Sequence, residues 1–280
     1  MKTENKYLII NADDFGMAKS INQAIIEGVG RGVITSVSLM ANGPEFDSVA
    51  PFCLGNASVG LHAVFTFGKP VLPRNSVASL VDDDGCFYHK SIFLLKYLTG
   101  RISLAEMENE LLAQLGKALD SGFNIDHLNS HHHLHCLPAV YQMFTRVAGA
   151  QNIRFIRTIT LPVWNRKAFW TMLFFSFLHK IFKTGFKAGN AFWGFEFMRA
   201  KKKKQSLEYI LNHLKPGINE LVCHPAKSAK ETFDSYYKTG RYSEYRLLMD
   251  HLTVKRILDS GIQLVSYRHL VNDNRKSGRD

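Results

Sequence analysis

The feature that most restricts what this chain can fold into is a repeated order along it. A short apolar run comes first, then polar residues able to do chemistry, then a helix-patterned stretch. Tyr7 to Asn11 is such a run and opens into Asp13-Asp14-Phe15-Gly16, as a buried strand opens into a loop. Ser20 can cap the next segment, where Ile21, Ala24, Ile25, Gly28 and Val29 recur at helical spacing, and Ile34 to Met40 reads as a second strand. Strand, loop, helix, strand is the parallel βαβ pattern. Ser58 to Leu61 precedes His62, Asn124 to Leu128 precedes Asn129 and a run of histidines, and Ile218 to Cys223 precedes His224-Pro225. Ile153 to Ile156 and Ile262 to Val265 are further strands.

Helices fill the spaces between. Leu104, Met107, Leu111, Leu115 and Ala118 share one face, with Ser103 as cap and Glu106 as its capping-box partner. Pro138 to Val147, Leu207 to Leu214 and Tyr245 to Leu258 complete the set. About seven strands interleaved with helices predict an α/β fold, a closed or nearly closed barrel spanning residues 1–271, followed by a frayed polar tail over 272–280. In such folds ligands bind where the strands end, because loops converge there above a packed core.

Composition agrees and removes other classes. The chain has 280 residues, 46% of them hydrophobic, which is enough for one large core, and 20 glycines with 8 prolines exclude collagen-like and low-complexity chains. Cys53, Cys86, Cys136 and Cys223 form no CxxC pair, so neither a disulfide scaffold nor a zinc ribbon is expected. The apolar run after MKTENK is too short for a secretory signal, which predicts a cytoplasmic chain with reduced thiols. Of the formal +11 charge, all is carried between Arg154 and Lys204, with twelve Lys or Arg against Glu196 alone. The remainder is neutral on balance, so a nucleic-acid partner is not expected.

Candidate chemistry gathers at the strand ends. Of the adjacent carboxylates Asp13 and Asp14, one can bind a cation while the other holds a water or a proton, with Gly16 permitting a tight turn. His127, His131, His132, His133 and His135 crowd nine positions, and an interior cluster of this kind points to metal, with His62 as a further ligand. An extended chain alternates its faces, so His131 and His133 are expected on one side and His132 on the other. His224, fixed by Pro225, can donate a proton near neutral pH.

The strings NADDFG (Asn11 to Gly16), TSVSLMANGP (Thr35 to Pro44), VGLH (Val59 to His62), DHLNSHHHLH (Asp126 to His135), CHPA (Cys223 to Ala226) and SYR (Ser266 to Arg268) resemble the YdjC-like carbohydrate deacetylases. GKPVLP (Gly68 to Pro73) and LVDDDGCF (Leu80 to Phe87) look most like the hopanoid-biosynthesis-associated branch of that family. The resemblance implies a distorted TIM-like barrel, commonly dimeric, that removes acetyl from an N-acetylated amino sugar with one divalent metal ion, Mg2+ or Zn2+. Carried over by motif, Asp14, His62 and His131 are the metal ligands, Asp13 the catalytic base and His224 the acid. Asn129, His133, His135 and Arg268 then contact substrate or brace the ligands. Asn129 departs from the pattern, since chito-oligosaccharide deacetylases of this kind usually carry aspartate there.

The stretch from Trp164 to Lys204 is the least family-typical. Its longest apolar run, Ala168 to Leu178, is shorter than the ~20 residues of a membrane span. We read residues 162–204 as a basic, aromatic helical insertion that packs on the barrel, binds sugar or lipid, or meets an anionic membrane surface. Two other functions share parts of the pattern: a metal phosphoesterase, and a membrane or nucleic-acid binding module in which the histidines are structural.

Overall fold

The computed structural model describes residues 5–49, 51–159, 189, 191–228 and 238–268. Among the described residues eight strands form one sheet: β1 (Lys6–Phe15), β2 (Ser36–Leu39), β3 (Ser58–Ala63), β4 (Ile125–Ser130), β5 (Phe155–Ile156), β6 (Ala191–Phe192), β7 (Gly217–Cys223) and β8 (Gln263–Leu264). The spatial order is β5-β4-β3-β2-β1-β7-β6, with β8 against β1, and every pairing is parallel. Helices α1 (Lys19–Gly30), α2 (Lys90–Leu98), α3 (Leu104–Asp120), α4 (Pro138–Ala150), α5 (Gly194–Arg199), α6 (Lys203–His213), α7 (Lys238–Met249) and α8 (His251–Asp259) are the others described. Parallel strands covered on both faces lose all contact with water, and Leu8, Ile9 and Ile10 in β1 are fully buried.

The sheet curls. Arg157, one residue past β5, places its Nε 2.9 Å from Glu220 Oε1 on β7, so side chains from opposite ends of the strand order meet across the interior. This is the predicted α/β fold, a curled parallel sheet consistent with a distorted TIM-like barrel. No helix among the described residues is long and apolar enough to cross a membrane.

Several local expectations change. Ser20 does not cap α1; it lies inside the helix, buried, and Ala18 is the capping position without a side-chain bond. Ser103 does cap α3, accepting from Glu106 N, but the Glu106 carboxylate accepts from Ser79 N instead of closing the capping box. Tyr245 to Leu258 is two helices, because Asp250 turns its carboxylate onto Thr253 N and starts α8. Ala191–Phe192, expected within a helical insertion, is a strand paired with β7. The helices of residues 162–204 that can be described are α5 and the start of α6; Trp193, just before α5, and Phe195 and Phe197 within it are buried. Residues 160–188, with most of the aromatic run, and the tail 272–280 lie outside the described residues.

Gly60 in β3 faces the His127 ring so closely that a Cβ there would lie 2.3 Å from Nε2. That ring cannot yield, being stacked on Tyr267 with centroids 4.2 Å apart and bonded to Asp126 Oδ1 at 2.7 Å. Gly60→Ala is therefore expected to destabilise the fold by about 1–3 kcal/mol through overpacking. A lower urea midpoint at unchanged slope is the measurement that checks it.

Candidate metal centre and active site

Two neighbouring residues of a regular strand point to opposite faces, so a plain β1 could not deliver both Asp13 and Asp14 to one pocket. The β1–β2 register shifts between Ala12 and Phe15, and Asp14 sits at φ 69°, in the left-handed region. A non-glycine residue there costs on the order of 1–3 kcal/mol, a strain typical of functional sites. Gly16 follows at φ 98°, its N–H donating to Asn22 Oδ1 at 2.7 Å, and a Cβ would meet Met40 O at 2.9 Å. The bulge turns both carboxylates inward, and both are 1% exposed.

Asp14, His62 from β3 and His131 just past β4 converge. Asp14 Oδ1 lies 3.4 Å from His62 Nε2 and 3.3 Å from His131 Nδ1, and the two ring nitrogens are 3.3 Å apart. Atoms bound at ~2.1 Å to one tetrahedral ion lie about 3.4 Å from each other, so the spacing suits shared ligation. Asp14 Oδ1 is buried without a hydrogen-bond donor, as a ligand atom reserved for a cation is. The other oxygen, Oδ2, accepts from Arg241 Nη2 of α7 at 2.5 Å. His62 Nδ1 meets Asn129 Oδ1 at 2.6 Å, and Asn129 donates onward to Ser38 Oγ at 2.7 Å. The Asn129 carbonyl thus fixes the tautomer that leaves His62 Nε2 its lone pair, which is how a bracing group serves a metal-bound imidazole. The donors fit a divalent ion, and these three residues could hold one.

Asp13 faces the same space. Arg157 grips it with both ends of its guanidinium, Nη1 to Oδ2 at 2.7 Å and Nη2 to Oδ1 at 2.9 Å, and Asn11 Nδ2 adds a bond of 2.8 Å to Oδ1. Burial alone would raise the Asp13 pKa, but the charge and hydrogen bonds of Arg157, together with the fields of His62 and His224, outweigh it and hold the carboxyl well below the usual range. Burial likewise works against charge on Asp14, and Arg241 with the two histidines overcomes it. Burial opposes a charged His62 too, yet Asp13 and Asp14 raise its pKa, a negative field that would also favour a cation. His224 Nε2 lies 3.8 Å from Asp13 Oδ2, and its backbone N–H donates to Glu244 Oε2 at 2.6 Å. Its pKa is lowered, chiefly by burial.

The remaining histidines do not follow strand alternation. His131–Cys136 is a pair of short 3-10 turns kinked at His132 and His133, both at φ 57°. His132 turns its Nδ1 to Thr66 Oγ1 at 2.9 Å, and His133 rests against Phe192 and Phe195 with ring centroids 5.8 and 5.2 Å away. His135 is buried under Ser130, whose Oγ lies 2.8 Å from its Nδ1. Arg268 is not brought to the triad: it pairs at 3.8 Å with Asp126, near the opposite end of β4 from His131.

Sequence reasoning missed Arg157, Glu220 and Arg241. Arg157 and Lys203 belong to the basic stretch from Arg154 to Lys204, but Arg157 is 1% exposed and Lys203 Nζ is buried against Glu244 Oε1 at 2.9 Å. A charged residue inside a predicted strand, as Glu220 is, was the available signal.

Burial drops the His135 pKa to about 3. The folded state therefore resists protonation that the unfolded chain accepts near pH 6.5, so this group's contribution to stability is complete above that pH and lost as pH falls toward 3. His135→Asn is expected to show a smaller loss of unfolding free energy between pH 7 and pH 5 than the natural protein, read from urea titrations.

A carbohydrate deacetylase of Thermoanaerobacter pseudethanolicus is 31% identical over 266 residues, covering 94% of this chain and 98% of that protein. One from Brevibacillus brevis is 31% identical over 94% of this chain and 99% of its own length. Among solved structures, an Enterococcus faecalis protein described as a candidate for cellobiose-phosphate cleavage superposes with a TM-score of 0.75 at 27% identity, covering 95% of this chain and 99% of that one. The YdjC-like protein family profile matches residues 7–259, which include every residue of the metal triad and both Asp13 and His224. The chain belongs to the YdjC-like family.

Proposed function

We propose that this protein is a metal-dependent N-deacetylase that hydrolyses the acetamide of an N-acetylated amino sugar. The observation that carries the reading is the meeting of the Asp14–His62–His131 triad with a carboxylate and an imidazole, Asp13 and His224, 3.8 Å from each other. The deacetylase names of full-length relatives support it. A divalent ion held by the triad supplies Lewis acidity, polarising the acetamide carbonyl and lowering the pKa of the attacking water.

The chain's own groups do the proton work. Asp13, held ionised by Arg157, accepts the proton that water loses on attacking the carbonyl carbon. His224 delivers a proton to the sugar nitrogen as the C–N bond breaks, leaving a free amine and acetic acid, which loses its proton to solvent as acetate. Burial makes its imidazolium the stronger acid. Return of the proton from Asp13 to His224, 3.8 Å away and therefore by way of a water, resets both groups.

Two imidazoles and one carboxylate suit zinc or ferrous iron better than magnesium, which prefers oxygen ligands. The substrate is either a short chito-oligosaccharide or a glucosaminyl lipid of the hopanoid type. Exposed Lys201, Lys202 and Lys204 support contact with anionic lipid in the second case, at about 1 kcal/mol each. The test is acetate release from chitin fragments and from N-acetylglucosaminyl lipids, with protein loaded in turn with Zn2+, Fe2+ and Mg2+. Fully loaded protein that frees no acetate from any of these would refute the reading.

A further inference from the structure

We propose that Glu220 is a positioning residue for the base, acting through Arg157; the proposal rests on the reading of Asp13 as the group that takes the proton. Arg157 is the only Lys or Arg paired with Asp13 among the described residues, and it hangs from the loop after β5, across the barrel from β1. A long side chain reaching that far needs its plane fixed if it is to present both terminal nitrogens to one carboxylate. Glu220 does this from β7: its Oε1 accepts from Arg157 Nε at 2.9 Å and stands 2.9 Å from Nη2.

One guanidinium thus lies between two carboxylates on two of its edges, and all three side chains are at most 5% exposed. With Nε taken by Glu220, the end of the fork is the edge left for Asp13. Phe192, 5.8 Å from the guanidinium carbon, covers a face.

Glu220 is in turn approached by Tyr267 of the SYR motif. Its phenol faces the carboxylate, and burial together with Glu220 holds its pKa well above the usual value. The Tyr267 backbone N–H donates to Ser58 Oγ at 3.1 Å and its ring stacks on His127, so the phenol arrives on a fixed frame. The SYR motif thus contributes its tyrosine to this chain of contacts. The order Tyr267, Glu220, Arg157, Asp13 runs from the last strand region to the base without touching the metal ligands' donor atoms.

A brace of this kind and a merely structural ion cluster differ in what their loss changes. Glu220→Gln keeps size and one acceptor, so the fold and the triad persist while the hold on Nε weakens. In metal-loaded protein it is expected to leave metal content at the natural level and KM within about twofold. The value of kcat falls on the order of 10–100-fold, the scale for a reacting group displaced by a fraction of an ångström. In an Asp13→Asn background the same substitution is expected to have no further effect on the residual rate, since groups that act through one another are not additive. Tyr267→Phe should give a smaller loss of the same kind.

An activity-independent arm accompanies these assays. The buried Arg157 Nε–H should give a resolved, slowly exchanging signal in 15N NMR of the arginine side chains, identified by its loss in Arg157→Lys. It should move and exchange faster in Glu220→Gln. An unchanged Nε–H signal, an unchanged kcat, or an equal fall in kcat with and without Asp13 would each overturn the proposal. Wild-type protein inactive on every acetamido sugar would instead remove the deacetylase reading, and the NMR arm would still decide whether Glu220 holds Arg157.

Discussion

Asp14→Ala is expected to empty the metal site and end acetate release in one step. Asp14 Oδ1 is within 3.4 Å of both imidazole donors, and its loss leaves two neutral nitrogens with no charged ligand. Lewis-acid stabilisation of several kcal/mol goes with the ion, so a rate loss on the order of 10³-fold or more follows. The substitution also removes the carboxylate that accepts from Arg241 Nη2, so some loss of stability accompanies the loss of the ion. Asp14→Asn separates the two effects, because its amide oxygen can still accept from Arg241 while the ligand charge is gone. Metal analysis beside kinetics checks both variants; full metal occupancy in either would break the assignment of Asp14 as a ligand.

Asp13→Asn is expected to do the opposite to the metal and nearly the same to turnover. The Asp13 carboxylate is bonded to Arg157 and Asn11 and is not one of the three converging donors, so the ion should remain at one per chain. Removing a general base costs about 10²–10⁴-fold, and an amide cannot accept the water's proton. Arg157 keeps one acceptor in the asparagine and another in Glu220, so the fold should survive. Measured metal stoichiometry with kcat tests this, and turnover at the natural rate would eliminate Asp13 as the base.

How far the chain could be read in advance depended on whether an element follows from local pattern or from distant partners. The strands of β1, β3, β4 and β7 were legible because apolar runs end in polar groups, and the triad residues because carboxylate and imidazole types recur at those ends. Strand β6 was hidden: two residues, Ala191 and Phe192, inside an aromatic stretch give no period to count. The fate of the histidine run was also illegible, since strand alternation assumes extended backbone and His132 and His133 adopt left-handed conformations. Arg157 looked like one of twelve surface cations because its neighbours in sequence are basic. Its partners, Asp13 and Glu220, are 144 and 63 residues away, and nothing local announces them.

The distribution of site residues along the chain has a consequence for biosynthesis. The three side chains of the triad have been translated once His131 is made, together with the strands that carry them, whereas Arg157, Glu220, His224 and Arg241 follow in the second half. The converging donors are therefore synthesised ahead of the groups that handle protons, while the strand β1 that carries Asp14 gains its neighbour β7 only near the end of synthesis.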